Sequence, residues 1–150
     1  MTVRIAVALG SNLGDRHANL DFAVGRLRSA VDALVVSRAI ETDPVGDSSQ
    51  PRYLNAAAVG ATTLSARALL EFLLRVEAER GRQRPHPGAA RTLDLDLVFY
   101  GDAIIAEPGL EVPHPRFRDR AFVLEPLAEV APDLRDPVTG LTVEALLARL

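Results

Sequence analysis

Two aspartates stand two residues apart in the segment RTLDLDLVFYG, which covers residues 91–101. The rest of the segment is mostly leucine, valine and aromatic residues, a composition typical of a buried strand. Because side chains alternate across a strand, Asp94 and Asp96 are predicted to share one face. The opposite face would then carry Leu93, Leu95, Leu97 and Phe99. We expect the apolar face to pack in a core and the aspartate face to bind a ligand.

Divalent cations are the ligands that such an aspartate pair could hold. The Cα atoms of alternate strand residues are roughly 6.6 Å apart, so both carboxylates can converge on one or two cations. Oxygen ligands with neither cysteine nor a neighbouring histidine favour Mg²⁺ or Mn²⁺ over Zn²⁺. The alternative is a strand whose outer face is only solvated, and the D-x-D pattern alone does not exclude it.

An arginine-rich segment, RGRQRPHPGAAR, covers residues 80–91. It contains four arginines, one histidine and no acid, and its two prolines and two glycines favour a loop. Guanidinium groups bind phosphate oxygens bidentately, and a loop can close over a nucleotide after the nucleotide arrives. Metal-binding carboxylates beside such arginines are the combination that phosphoryl transfer requires. The alternative is a solvated surface loop whose arginines reflect codon bias.

A second basic segment, VPHPRFRDRAF, follows later in the chain. His114 lies there between two prolines that restrict its backbone, and the segment could complete a phosphate pocket. Alternatively, Arg118 and Arg120 lie in the first turn of a helix. Arg118 would then only pair with Asp119 or Glu125.

Tyr53 and Asn55 alternate in the segment QPRYLNAA, so they share one face of a predicted strand. A flat ring beside an amide could stack on a planar heterocycle and hydrogen-bond its edge. Taken alone, Tyr53 fits an ordinary packed aromatic better than a stacking residue.

Composition restricts the phosphate chemistry. All 17 basic residues are arginine, which excludes a Schiff-base lysine and a phosphate loop of the GxxxxGK[ST] type. The glycine-rich GSNLGDR also lacks the GxGxxG pattern. We expect its glycines to turn the chain and Ser11, Asn12 or Asp15 to cap a helix.

Length and composition predict a single soluble domain over residues 1–150. With no cysteine, the chain can form neither a disulfide nor a thiolate zinc site. A net charge of −3 argues against a general nucleic-acid binder. We see no charged-then-apolar leader, and no apolar run approaches the roughly 20 residues that span a bilayer. We expect a cytoplasmic monomer with no nucleic-acid or membrane partner.

The predicted elements follow the order β-α-β-β-α-β with a C-terminal extension. Strands are predicted at VRIAVALGSN, ALVVSRAIET, YLNAAAVGATT and the aspartate segment. Helices are predicted over residues 19–31, from the N-cap Ser65 to a stop at Gly81, and over residues 122–131. AIIAEPGLEVPHP is predicted to form a short hairpin at the sheet edge. This order matches an α+β, ferredoxin-like arrangement whose antiparallel sheet carries both helices on one face.

Taken together, the segments resemble the family of 6-hydroxymethyl-7,8-dihydropterin pyrophosphokinases over nearly the whole chain. The resemblance is carried by ALGSNLGDR, ETDPVG, QPRYLNAA, VEAERGRQR, RTLDLDLVFYGD and VPHPRFRDRAFVLEPLAEVAP, in the family's order and close to its spacing. It implies a ferredoxin-like α+β fold. It also implies Mg²⁺-dependent transfer of pyrophosphate from ATP to the pterin hydroxymethyl group, giving AMP, in folate biosynthesis.

By the same resemblance, Asp94 and Asp96 would hold two Mg²⁺ ions against the triphosphate. The implied pterin site comprises Thr42, Pro44, Val45, Tyr53, Asn55 and Phe122, with Asn55 reading the ring edge and the two aromatic rings stacking on its faces. The implied ATP site comprises Glu77, Arg82, Arg84, Arg91, His114 and Arg120. Arg82 and Arg91 would join the two aspartates as catalytic residues.

Some positions depart from the family's pattern. Many members have a tryptophan shortly before the arginine of RTLDLDL, and the segment HPGAA has none. Leu74 and Gly109 stand where a well-known enterobacterial member has glutamine and arginine. We expect these differences to affect nucleotide affinity and product release, and to leave the reaction class unchanged.

Two other functions stay open at this point. A hydrolase of nucleoside polyphosphates could use the same carboxylates and arginines with water, although Tyr53 and Asn55 would then have no role. An RNA-binding sheet is the second, but such sheets display aromatic residues where this chain has two acids.

Overall fold

A computed structural model describes residues 1–44, 50–81 and 92–150. Within these ranges the strands are β1 (Val3–Ser11), β2 (Asp32–Val36), β3 (Ile40–Thr42), β4 (Tyr53–Thr62), β5 (Asp94–Tyr100), β6 (Ile105–Glu107) and β7 (Leu110–Val112). The helices are α1 (Arg16–Leu27), α2 (Ala66–Glu79), α3 (Ala121–Val130) and α4 (Val143–Ala148), and a short 3₁₀ helix (Phe117–Asp119) precedes α3. None of the helices in the described ranges is long and apolar enough to cross a membrane.

The main sheet is antiparallel and has the strand order β2-β4-β1-β5. β4 lies between β1 and β2, as a split βαβ arrangement requires. The predicted α+β, ferredoxin-like fold is therefore confirmed. β5 is an edge strand of this sheet, so one side of its backbone is open to other partners.

The predicted second strand, ALVVSRAIET, is two strands in the structure. β2 and β3 both pair with β4, but the chain leaves the ladder between them. There Ser37 donates its N–H to the carbonyl oxygen of Ala57 at 2.9 Å, and its hydroxyl oxygen accepts the Ala57 N–H at 2.9 Å. A serine hydroxyl that takes the place of a backbone carbonyl divides the strand.

Helix ends follow the capping pattern read from the sequence. Asp15 is the N-cap of α1 and accepts the N–H of Ala18 at 3.1 Å. Ser65 is the N-cap of α2 and accepts the N–H of Ala68 at 3.1 Å. α2 ends two residues before Gly81, whose φ of +79° favours glycine. The helix predictions are confirmed to within a few residues.

Both faces of the sheet are covered. α1 and α2 pack on one face, and the buried residues there include Ile5, Val7, Leu9, Leu27, Leu69, Leu73, Val76, Leu95 and Leu97. α3 and α4 pack on the other face, and the buried residues there include Ala6, Ala57, Val59, Phe99, Phe117, Leu124, Leu127 and Leu146. The predicted placement of two helices on one face is correct for α1 and α2, while the C-terminal extension supplies a second layer.

The predicted face of Phe99 is wrong. Ala6 of β1 pairs with Phe99, but the next residue, Val7, pairs with Leu97. Val98 is therefore an extra residue in β5, a β-bulge, and an extra residue reverses the faces of the side chains that follow it. Phe99 consequently packs in the α3–α4 core, on the face that carries the two aspartates, whereas Leu97 packs against α1 and α2.

The predicted hairpin is present as β6 and β7, which form a separate two-stranded sheet. Beyond β7, the N–H of His114 donates to the carbonyl oxygen of Val98 at 3.0 Å. The bulged residue Val98 thus accepts a hydrogen bond from the segment after the hairpin, and this bond holds His114 beside β5.

Candidate active site

Small residues of β1 lie beside polar residues of its neighbours. Gly10 pairs with Asn55 of β4 on one side and with Asp94 of β5 on the other. Ala8 pairs with Asp96 of β5 and with Ala57 of β4. Because paired residues of adjacent strands point to the same face, one amide and two carboxylates rise around a floor of small side chains.

A side chain at Gly10 would crowd Asn55. A Cβ atom added there would lie 3.0 Å from Oδ1 of Asn55 and 3.5 Å from Cδ1 of Tyr53. The glycines of GSNLGDR were expected to turn the chain, whereas β1 continues through Gly10 to Ser11. The missed signal is a glycine inside a strand, which often marks a close approach of other groups.

A cavity of about 170 Å³ lies above this floor, on the α3 side of the sheet. It brings together all the predicted pterin residues that the structure describes, namely Thr42, Pro44, Tyr53, Asn55 and Phe122. The predicted Val45 lies outside the described residues. Asp94, Asp96 and Arg120 line the same cavity, together with Asp43 and Gln50, which sequence analysis did not identify.

Asn55 is fixed by a neighbour. Its side chain is 6% exposed, and Nδ2 donates to Oγ1 of Thr42 at 2.5 Å. β3 carries Thr42 to this position by pairing with β4, opposite Tyr53. With Nδ2 engaged and Oδ1 above Gly10, the amide presents a defined edge to the cavity.

A second cavity, of about 230 Å³, lies along the open edge of β5. Its lining comprises Leu70, Leu95, Asp96, Leu97, Gly109, Leu110, Glu111, His114 and Pro115. Asp96 is therefore a wall of both cavities. A cation bound at Asp96 would contact a ligand in either space.

His114 is held as a neutral imidazole at neutral pH. Burial lowers the pKa of His114, and the nearby positive charge of Arg120 lowers it further. Its Nδ1 accepts the N–H of Arg116 at 3.2 Å, so the ring proton is on Nε2. His114 can therefore donate a hydrogen bond without bringing a charge.

Arg120 and Phe122 form the α3 side of the first cavity. Arg120 is the N-cap residue of α3, and its guanidinium carbon lies 5.4 Å from the ring centroid of Phe122. This cation–π contact holds a positive charge over an aromatic face at the mouth of the site.

Glu77 lines neither cavity. Its side chain is 3% exposed, and Oε2 accepts the N–H of Leu95 at 2.7 Å. The carboxylate thus bonds the edge of β5 between the two aspartates. The predicted contact of Glu77 with the nucleoside stays a prediction.

Three predicted phosphate contacts, Arg82, Arg84 and Arg91, lie outside the described residues. Of the two positions that depart from the family's pattern, Gly109 lines the second cavity and Leu74 is an exposed residue that lines neither.

Arg118 has a different partner from either acid considered in the sequence. It pairs with Asp136, through Nε at 2.6 Å and Nη2 at 2.9 Å, and lines neither cavity. This partner lies 18 residues away in the chain, beyond the reach of local sequence reasoning.

The aspartate pair suits a hard cation. Asp94 and Asp96 offer only oxygen ligands, from one face of one strand, at the wall of one cavity. Among the residues that the structure describes, no three His, Asp or Glu side chains cluster as a complete metal cage. Two carboxylates that leave other positions to water and phosphate are the usual protein ligands of Mg²⁺ in phosphate-transferring sites.

Comparison with known proteins gives concordant matches. A family model described as 7,8-dihydro-6-hydroxymethylpterin-pyrophosphokinase (HPPK) matches residues 6–132. A 2-amino-4-hydroxy-6-hydroxymethyldihydropteridine pyrophosphokinase of Methylorubrum extorquens is 42% identical, over 98% of this chain and 93% of that protein. A protein of the same description from Pseudomonas aeruginosa is 40% identical, over 91% of this chain and 86% of that protein.

The fold also matches solved structures. A Plasmodium falciparum HPPK-DHPS chain, crystallised with pterin and p-hydroxybenzoate, aligns with a TM-score of 0.78 at 14% identity. The alignment covers 99% of this chain and 42% of that chain, so the present chain spans less than half of the longer protein. At this identity the match supports the fold alone.

Proposed function

The chain belongs to the 7,8-dihydro-6-hydroxymethylpterin-pyrophosphokinase family, and on that premise we propose how its own residues share the reaction. The reaction transfers pyrophosphate from ATP to 6-hydroxymethyl-7,8-dihydropterin and yields AMP and the pterin diphosphate, in folate biosynthesis.

One observation carries the assignment of roles: Asp96 borders both cavities. Aromatic rings and polar side chains line the first cavity, which suits a flat pterin ring with hydrogen-bonding edges. The second lies along an open strand edge beside His114, which suits part of the nucleotide. The two substrates would therefore meet at the aspartate pair, where the phosphoryl group is transferred.

In the first cavity, the pterin ring would lie between Tyr53 and Phe122. The Asn55 amide, oriented by Thr42, would hydrogen-bond its edge. Purine analogues would leave this buried amide unpaired, which is a strong basis for rejection. Pro44 and Val45 complete the proposed pterin site, the latter from the segment outside the described residues.

Asp94 and Asp96 would hold two magnesium ions through their carboxylate oxygens. Bound magnesium supplies neutralisation of the triphosphate charge. The chain's contribution is to fix both carboxylates on a rigid strand, so that little reorganisation is needed when the substrates arrive.

On the nucleotide side, His114 would donate Nε2–H to a phosphate oxygen, and Arg120 would place a positive charge at the wall of the first cavity, near His114. Arg82, Arg84 and Arg91 are proposed to bind phosphate oxygens, with Arg82 and Arg91 acting during transfer. Glu77 is retained as a proposed nucleoside contact.

In the transfer step the hydroxymethyl oxygen bonds the β-phosphorus as the bond to the α-phosphate oxygen breaks, and AMP leaves. Positioning and charge stabilisation supply most of the rate in such reactions. Asp96 is our candidate for accepting the hydroxyl proton, because it borders both substrate spaces.

We further propose that residues 1–150 act as one pyrophosphokinase domain, as a monomer in the cytoplasm. Support for a single unit comes from the shared sheet, since both apolar cores are built on the same strands.

Pterin dependence is the test of this function. Purified protein is incubated with ATP and Mg²⁺, with and without 6-hydroxymethyl-7,8-dihydropterin, and AMP is measured. We expect AMP and pterin diphosphate in equal amounts, and only when the pterin is present. AMP formed at the same rate without the pterin would instead support nucleotide hydrolysis.

A further inference from the structure

Asp136 is a fully buried carboxylate in the turn between α3 and α4, and its side chain is 0% exposed. It accepts four hydrogen bonds: two from the Arg118 guanidinium at 2.6 and 2.9 Å, one from the Val138 N–H at 3.0 Å and one from the Thr139 hydroxyl at 2.8 Å. Burying a charge is costly unless it is paired and hydrogen-bonded, and this one is both. The turn is therefore tied to Arg118 by a directional, bidentate contact.

Arg118 belongs to the 3₁₀ helix that leads directly into the first cavity. Arg120 and Phe122, two and four residues further on, both line that cavity. The Arg120 N–H donates to the Phe117 carbonyl oxygen at 3.2 Å, and the Arg120 carbonyl oxygen accepts the first backbone bonds of α3. The position of the 3₁₀ helix therefore sets the position of this cavity wall.

Among the described residues, the bonds between Arg118 and Asp136 are the side-chain hydrogen bonds of this 3₁₀ helix. Neither it nor α3 begins with a side-chain capping bond. Phe117 packs edge-to-face on Phe99 of β5, with ring centroids 4.9 Å apart. This apolar contact holds one side of the 3₁₀ helix against the sheet. The ion pair to Asp136 supplies the polar anchor on the other side.

We propose that Asp136 is a positioning residue for the pterin site: it holds Arg118, which fixes the 3₁₀ helix and so places Arg120 and Phe122 at the cavity. This inference rests on the pterin site proposed above. Asp136 lies in the C-terminal segment, beyond residue 132, where the match to the family model ends.

Two substitutions loosen the contact from opposite ends. Asp136→Asn keeps the shape and removes the charge, while Arg118→Lys keeps the charge and removes the bidentate fork. We expect each to raise the KM for the pterin roughly tenfold while kcat falls by less than about threefold. Because both act through one contact, the double variant should be little worse than either single variant.

Leu27→Ala is the matched control for loss of stability. Leu27 is 0% exposed and lies in the α1–α2 core, on the opposite face of the sheet. Assays are run well below the melting temperature of every variant. We expect Leu27→Ala to lower the melting temperature at least as much as Asp136→Asn and to leave the pterin KM unchanged.

An unchanged pterin KM in both Asp136→Asn and Arg118→Lys would overturn the proposal and leave the pair a purely structural contact. If Asp136→Asn does not fold, Arg118→Lys decides the question alone, because Arg118 is partly exposed and keeps its charge. Failure of the proposed function is distinguishable, since the wild-type protein itself would then form AMP without the pterin.

Discussion

Asn55 and Asp94 lie on either side of Gly10, each paired with it across a strand boundary. With strands about 4.8 Å apart, one rung of the sheet holds these two residues roughly 10 Å from each other. Asn55 is proposed to bind the pterin and Asp94 to bind the metal. Only Gly10 of β1 lies between them, so the sheet fixes the distance between the two groups. The strands fix the positions of these two groups, and we expect the remaining positive charges of the site to come from the proposed phosphate contacts Arg82, Arg84 and Arg91.

Replacing either aspartate should abolish turnover without unfolding the protein. We expect Asp94→Asn and Asp96→Asn each to lower kcat by at least about a hundredfold, because a neutral amide is a poor ligand for a hard cation. Steady-state kinetics and thermal melting measure the two effects. Asp102→Asn, in the exposed turn after β5, is the control and should behave as wild type. Near-normal turnover in either variant at the site would exclude its metal-binding role.

A methyl group at Gly10 should disturb pterin binding selectively. The Cβ of Gly10→Ala would stand 3.0 Å from Oδ1 of Asn55, so the amide must shift. We expect the calorimetric Kd for the pterin to rise roughly tenfold, or about 1.4 kcal/mol.

Gly25→Ala is the matched control for Gly10→Ala. Gly25 lies within α1, and a Cβ there meets nothing within 4 Å. Alanine at this position should stabilise the helix by about 0.5–1 kcal/mol and leave pterin binding unchanged. Wild-type affinity in the Gly10 variant would show that the cavity floor is not part of the pterin site.

The hydroxyl of Thr42 should affect pterin binding because it orients the Asn55 amide. Thr42→Val keeps the shape and removes the acceptor of the Asn55 Nδ2–H, which leaves a buried donor unpaired at a cost of about 1–3 kcal/mol. We expect weaker pterin binding, measured by calorimetry, and a smaller preference for pterin over purine analogues. Thr63→Val, at an exposed position, should change neither quantity. Unaltered selectivity in Thr42→Val would argue that Asn55 needs no orienting partner.

The ionised carboxylate of Asp136 should stabilise the folded protein, and this stabilisation should be lost at low pH. Burial alone would raise the pKa of Asp136, but hydrogen bonds from Arg118, Thr139 and Val138 outweigh burial and lower that pKa below its ordinary value of 3.8. A carboxyl with a lowered folded-state pKa contributes stability that is complete above the unfolded pKa and is lost as pH falls through the folded pKa. Asp136→Asn should therefore destabilise the protein more at pH 6 than at pH 3.

Urea denaturation of wild type and Asp136→Asn at the two pH values measures this difference. Asp133→Asn is the control, because Asp133 is largely exposed and its nearest cation, on Arg4, is 3.6 Å away. An equal loss of stability at pH 6 and pH 3 would contradict an ionised, hydrogen-bonded Asp136.

Local signals in the sequence predicted much of this fold. The cap at Ser65, the turn at Gly81 and the alternation from Asp94 to Leu97 act over a few residues, and each is confirmed. Of the three caps expected for the first helix, Asp15 is the one that forms. The strand order followed from the order of the elements, because the split βαβ arrangement accommodates that order with short connections.

Features set by distant partners could not be predicted in this way. The bulge at Val98 depends on how β5 pairs with β1, and it reversed the face of Phe99. The pairing of Arg118 with Asp136 joins the segments on either side of α3. Residue types and the family resemblance together indicated the candidate site, and Arg120, named by the resemblance, does line its first cavity.

Magnesium-dependent nucleotide binding tests the central claim most directly. A non-hydrolysable ATP analogue is titrated calorimetrically into wild-type protein and into the Asp94→Asn/Asp96→Asn variant, with Mg²⁺ or with a chelator. We predict binding to the wild type that requires Mg²⁺ and is lost in the double variant while its melting temperature stays close to normal. Equal affinity in the presence of the chelator, or in the double variant, would contradict the account.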